Sequence, residues 1–163
     1  GSDARGHEDL VPGRTGYGSS ATALYASELS RAGIREAIVN GRAQIKTYGA
    51  LFSPHSELTV TTVDGQTGSF GDTIHLAQAA TATMEIRILN GNGQTLELTQ
   101  NGTLSSTVPI TSDDFVHSQL ITRGATEGPL GTYWRFDVRA AADLTIPKTP
   151  IRTLIANPVW LAD

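Results

Sequence analysis

The chain has 163 residues, enough to bury a core within one domain. Charged residues make up 17%, the net charge is −4 and aromatics are 6%, so neither the basic footprint nor the stacking platforms of a nucleic-acid binder are present. There is no cysteine, which excludes disulfides, thiolate metal sites and a Cys nucleophile, and no apolar run approaches the roughly 20 residues that span a bilayer.

Seventeen glycines and seven prolines, among many Thr and Ser, point to a turn-rich β fold. Gly1 to Ser20 reads as a polar loop, followed by one short buried strand at Ala21-Thr22-Ala23-Leu24-Tyr25-Ala26. Ser30 is placed to cap a helix, Ile34, Ala37 and Ile38 recur at helical spacing, and Asn40-Gly41 supplies the stop. The spacing therefore predicts a helix over Ser30 to Asn40. It is too short to stand alone in water, and its narrow stripe of Ile34, Ala37, Ile38 and Leu29 predicts an apolar patch suited to a dimer contact.

Beyond Gly41 the period changes to two. Alternation predicts strands at Ala43 to Tyr48, Glu57 to Thr61, Thr73 to Leu76, Met84 to Leu89, Leu96 to Leu98, Leu104 to Ile110, Phe115 to Thr122, Tyr133 to Arg139 and Ile151 to Asn157. Asp64-Gly65, Asn90-Gly91-Asn92-Gly93 and Asn101-Gly102 mark turns between them. Short strands with one wet and one dry face bury the dry faces together. The expected fold is mainly β, an antiparallel β-sandwich (immunoglobulin-like) with one short N-terminal helix. Residues 1–41 form a lead-in and residues 42–163 the sandwich.

The order of several pieces carries a resemblance. Gly1-Ser2-Asp3-Ala4, a glycine-rich loop, the strand Ala21 to Ala26, and a helix opened by Leu29-Ser30 and ended by Gly41-Arg42 resemble the tail of the catalytic domain in the PHP (polymerase and histidinol phosphatase) superfamily of metal-dependent phosphoesterases. The closer likeness is to the branch of carbaryl and methylcarbamate hydrolase-like proteins. Leu58 to Asp64, Gly71-Asp72-Thr73-Ile74, Ile86 to Gly91, Tyr133 to Val138 and Ala156-Asn157-Pro158-Val159-Trp160 are similar to the β domain that often follows it. The resemblance implies that residues 1–41 are the remnant of a catalytic domain and that the sandwich is a non-catalytic accessory unit. Its role would be structural, at the active-site rim or in oligomer contacts. It also implies a missing N-terminal catalytic domain as partner, a divalent metal (Zn, Mn or Fe) in the parent enzyme, and a periplasmic or secreted setting.

Within the resemblance, Asp3 falls on a metal-ligand position, and the family's histidine two residues later is replaced by Arg5, which stays protonated and cannot ligate a cation. Either His7 substitutes for it or that position is degenerate; if Gly1-Ser2 is a cloning remnant, Asp3 loses the role. Asp3 and His7 alone would hold a metal poorly, since a catalytic site needs about three protein ligands. His55, His75 and His117 are widely separated candidates for a three-histidine site, weighed against ordinary surface histidines. Asp113-Asp114 reads as a turn before a strand rather than a calcium loop, and Asn101-Gly102-Thr103 as a hairpin turn rather than a glycan acceptor. No Gly-x-Ser-x-Gly elbow is present. The alternative function is a self-sufficient carbohydrate- or protein-binding module using Trp134 or Tyr133, with Tyr48 and Trp160 as further aromatics. Tyr133 and Trp134 are adjacent on one strand, so at most one of them faces the core.

Overall fold

A computed structural model describes residues 20–47, 53–124, 131–140 and 152–163. The predicted helix is α1 (Arg31–Val39), with Ser30 as its N-cap and Asn40 as its C-cap. The strands are β1 (Ala21–Leu24), β2 (Ala43–Lys46), β3 (His55–Thr62), β4 (Thr67–Gly68), β5 (Thr73–His75), β6 (Thr81–Leu89), β7 (Thr95–Gln100), β8 (Thr103–Pro109), β9 (Asp114–Thr122), β10 (Thr132–Arg139), β11 (Arg152–Ala156) and β12 (Val159–Ala162). They form two sheets. One has four strands in the order β4-β3-β6-β9, and the other contains the remaining eight. All pairings are antiparallel except β12 with β5, which is parallel.

The alternation seen in the sequence becomes the two-faced sheet. On β6, Ala82, Met84, Ile86 and Ile88 are buried while Thr83 and Glu85 face solvent. They meet Leu96 and Leu98 of β7, Trp134, Phe136 and Val138 of β10, and Leu154 of β11 in one continuous core. The mainly β, antiparallel sandwich with one short helix is therefore the observed fold. Asn101-Gly102 is the two-residue turn joining β7 and β8, and both residues have positive φ (48° and 84°), the conformation that twists with the strands it connects.

In the larger sheet, β10 has β7 along one side. Along the other lie two successive strands, β11 beside Asp137–Arg139 and β12 beside Thr132–Trp134. They are separated only by Asn157 and Pro158, and there the sheet forks. β11 continues to β2 and β1, whereas β12 continues to β5. Pro lacks an N–H, so an interruption at this point costs no ladder donor. The end of α1 is hydrogen-bonded to residues at this fork.

Candidate functional site: the joint between helix and sandwich

The joint begins with how the helix stops. Gly41 has φ of +68°, the left-handed conformation available to glycine. The Arg42 N–H donates to the carbonyl of Ala37 at 2.8 Å and the Gly41 N–H to that of Ile38 at 3.2 Å, which together make a Schellman cap. At the other end the Ser30 hydroxyl accepts from the Gly33 N–H at 3.0 Å.

The cap aims Arg42 back across the sandwich. Its Nη1 donates to Glu36 Oε1 at 2.8 Å, and its Nε and Nη2 each donate to Asp72 Oδ1 at 3.2 Å. Asp72 in turn accepts from the Ser69 N–H at 2.9 Å through Oδ2, and its carbonyl accepts from the Trp160 N–H at 2.9 Å. From the fork, the Asn157 side-chain amide donates to the Gly41 carbonyl at 2.8 Å, and the Pro158 carbonyl accepts from the Gly71 N–H at 2.8 Å. Gly71 is required at this contact, since a Cβ there would lie 1.8 Å from the Asn40 carbonyl oxygen. Arg42 and Asp72 are partly exposed, so their ion pair adds at most about 1 kcal/mol; the close backbone seat and the cap set the position.

Tyr25 ties the lead-in to the opposite sheet. Its hydroxyl donates to the Ser56 carbonyl, its ring lies 4.8 Å from that of Phe70, and its N–H donates to the Arg42 carbonyl at 2.9 Å. Burial pushes the Tyr25 phenol up to about 12, so it stays a donor throughout the physiological range.

Ala37 is the one buried side chain of the helix, while Gly33 is covered by Glu28 of the turn before it, whose carbonyl oxygen would lie 2.5 Å from an added Cβ. Of the stripe read from the sequence, only Ala37 is buried. Ile34 is exposed, Ile38 is 60% exposed, and Leu29 and Val39 are more exposed still. A nine-residue helix is thus held at its C-terminal end while its larger apolar residues face solvent.

The other candidate residues fall elsewhere. Asp3, His7 and Tyr48 lie outside the described residues. His55 stacks 6.1 Å from Tyr25, the His75 ring contacts the Asp163 carbonyl at 2.5 Å, and His117 contacts Gln119. No group of three or more His, Asp or Glu side chains among the described residues is arranged to hold a metal. Asp114 is engaged by Arg87 at 2.7 and 2.8 Å, which holds its carboxyl below the usual range. Trp134 faces the core, 6% exposed, and Tyr133 lies on the outer face with its ring 5.1 Å from Trp160. Of the two residues read as a ligand platform, Tyr133 is the one a ligand on the sheet surface would reach.

The same outer face carries a charged row that sequence reading did not single out. Arg152 Nε lies 2.9 Å and Arg135 Nη2 3.4 Å from Asp137 Oδ2, and Arg139 Nε pairs with Glu97 at 2.6 Å. Burial raises the Asp137 carboxyl against the pull of these arginines. The alternation that placed Arg135, Asp137 and Arg139 on one face was visible in the sequence; their partners on β7 and β11 were not.

No helix among the described residues is long and apolar enough to cross a membrane. No family model matches the chain, and no curated protein matches it. Among solved structures, the chain is similar to a CARDB domain from Pyrococcus furiosus determined by NMR, at 13% identity and a TM-score of 0.35, over 69% of this chain and 98% of that one. That likeness is too remote to bear on family or function, and the two-sheet architecture stands on the pairings above.

Proposed function

We propose that this chain is the C-terminal accessory β-sandwich of a PHP-like metal-dependent phosphoesterase, fixed to its catalytic domain through β1 and α1. The observation that carries the reading is the joint. Tyr25, Gly41-Arg42, Gly71-Asp72 and Asn157-Pro158 belong to the separate pieces on which the family resemblance rests, and all meet where the helix is seated. A flexible tether needs no such seat, whereas an accessory domain held at one angle does. The exposed Leu29, Ile38 and Val39 are then the surface on which the catalytic domain rests.

On this reading the sandwich performs no chemistry. The parent's divalent metal (Zn, Mn or Fe) would activate water and neutralise charge on the transferring group, with Asp3 and His7 as its candidate ligands from this chain. The test is to express the full reading frame that encodes this chain, purify it with Mn or Zn, and assay hydrolysis of bis-p-nitrophenyl phosphate and a carbamate ester. Metal-dependent turnover that Ile38→Asp reduces is the expected result. An absence of turnover with either metal sinks the phosphoesterase reading.

A further inference from the structure

Among the described residues, one sheet edge lacks the usual protection. Strands with free edges invite pairing with other chains, and proteins blunt them by shortness, Pro, Lys or bulges. Here β1 has four residues, β4 two and β5 three, while β8 carries Pro109 and faces a register shift at Leu98/Thr99. In contrast, β9 has nine residues, contains no Pro, Lys or Arg, and pairs with β6 over its whole length without a bulge. Among the described residues β6 is its one pairing partner. On its outer face Val116 is 52% and Leu120 70% exposed.

The order of residues in this strand says what fits it. Read about Ser118, Asp-Phe-Val-His-Ser-Gln-Leu-Ile-Thr is self-complementary in an antiparallel register. Val116 would face Leu120, Phe115 would face Ile121, His117 would face Gln119, and Ser118 would face itself. Each pair matches apolar with apolar or polar with polar. Each also joins residues of the same face, as the period of two requires. The one charged residue, Asp114, would face Thr122 and is already neutralised by Arg87. No like charges therefore oppose one another across the join, the condition a two-fold interface must meet.

We infer that the partner of this edge is a second copy of the chain, paired β9 to β9 about Ser118 to give a continuous eight-stranded sheet. The inference is independent of the phosphoesterase reading, since β9 takes no part in the helix joint.

The test uses the 163-residue chain. Sedimentation velocity over a wide concentration range should show a reversible dimer. Val116→Lys with Leu120→Lys, both at solvent-facing positions, puts lysine opposite lysine in two pairs and should weaken dimerisation at least about tenfold. The natural chain has no cysteine, so Ser118→Cys offers a register-specific readout. Opposed residues in antiparallel strands have Cα atoms about 4.5–5.5 Å apart, within disulfide range. Mild oxidation should link Ser118→Cys into covalent dimers and leave Gln119→Cys or Thr59→Cys unlinked. A chain that remains monomeric at millimolar concentration, or cross-links equally at all three positions, overturns the inference and leaves the edge to an extended segment of another protein.

Discussion

Replacing Gly71 with alanine tests whether the helix seat is as close as it looks. Two costs follow from the geometry. The φ of +77° costs a non-glycine residue about 1 kcal/mol or more. The new Cβ also lies 1.8 Å from the Asn40 carbonyl oxygen and 2.7 Å from the Gly41 carbonyl carbon, both backbone atoms that cannot rotate away. The helix end must retreat by more than an ångström, which breaks the 2.8 Å bond from Asn157 to Gly41 and stretches the 3.2 Å contacts of Arg42 with Asp72. At about 1 kcal/mol for the hydrogen bond and less than about 1 for the partly exposed ion pair, Gly71→Ala should cost ~3 kcal/mol in all. Gly65→Ala is the control. It has φ of +87° with nothing within 4 Å of the added Cβ, so it should cost only the conformational ~1 kcal/mol. Urea unfolding of both variants, followed by tryptophan fluorescence, measures the difference; Trp160 reports from beside the joint because its N–H donates to the Asp72 carbonyl. If the two variants agree within about 0.5 kcal/mol, the seat has room to spare and the reasoning from close approach is refuted.

Asp72→Ala should destabilise more than Arg42→Ala, by about 1 kcal/mol, because it also strips the Ser69 N–H of its acceptor; chemical denaturation of the two variants decides the order. Phe136→Ala, at a fully buried position 5.9 Å from the Phe70 ring, should cost roughly 3–5 kcal/mol in the same assay. Burial, and then the Lys46 charge, hold the His55 imidazole below its ordinary value, so the unfolded chain binds that proton more readily than the folded one. The stability His55 contributes is fully present above the ordinary histidine value of about 6.5 and declines as pH falls from there to the lowered folded value. Thermal melts across that window should show a shallower acid-side decline for His55→Gln, and an unchanged slope would mean that another group titrates there.

Local features of the fold were legible in the sequence because their causes are local. Ser30 and Gly41 bound the helix through hydrogen bonds spanning three to five residues, and alternation over a few positions defines β3, β6 and β10. Two strands escaped. β4 is only two residues long, and Val159–Ala162 reads as an apolar run because its half-exposed positions hold Trp160 and Ala162, which leave no polar alternation to read. The joint was legible only as fragments. Gly-Arg, Gly-Asp and Asn-Pro stand out in the sequence, but Arg42 meets Asp72 across 30 positions and Asn157 meets Gly41 across 116. No periodicity reports such pairings. The helix stripe was legible as the apolar patch its spacing predicts, since Ile34, Ile38 and Leu29 are exposed and Ala37 alone of that face is buried.

The fork at Asn157 and Pro158 also bears on the order in which the molecule assembles. The four-stranded sheet joins β3, β6 and β9 by pairings whose loops can close early. The larger sheet cannot close until β2 finds β11, a contact illustrated by the Thr47 hydroxyl and the Arg152 carbonyl, 105 positions apart. Although α1 is made before nearly all the strands, the side chain that holds its Gly41 carbonyl belongs to Asn157. During synthesis Arg42 can meet Asp72 once 30 further residues are made, but the Gly41 carbonyl must wait for Asn157, 116 positions on. The joint is therefore among the last parts of the molecule to lock, completed only when the strands on either side of Asn157 and Pro158 are in place.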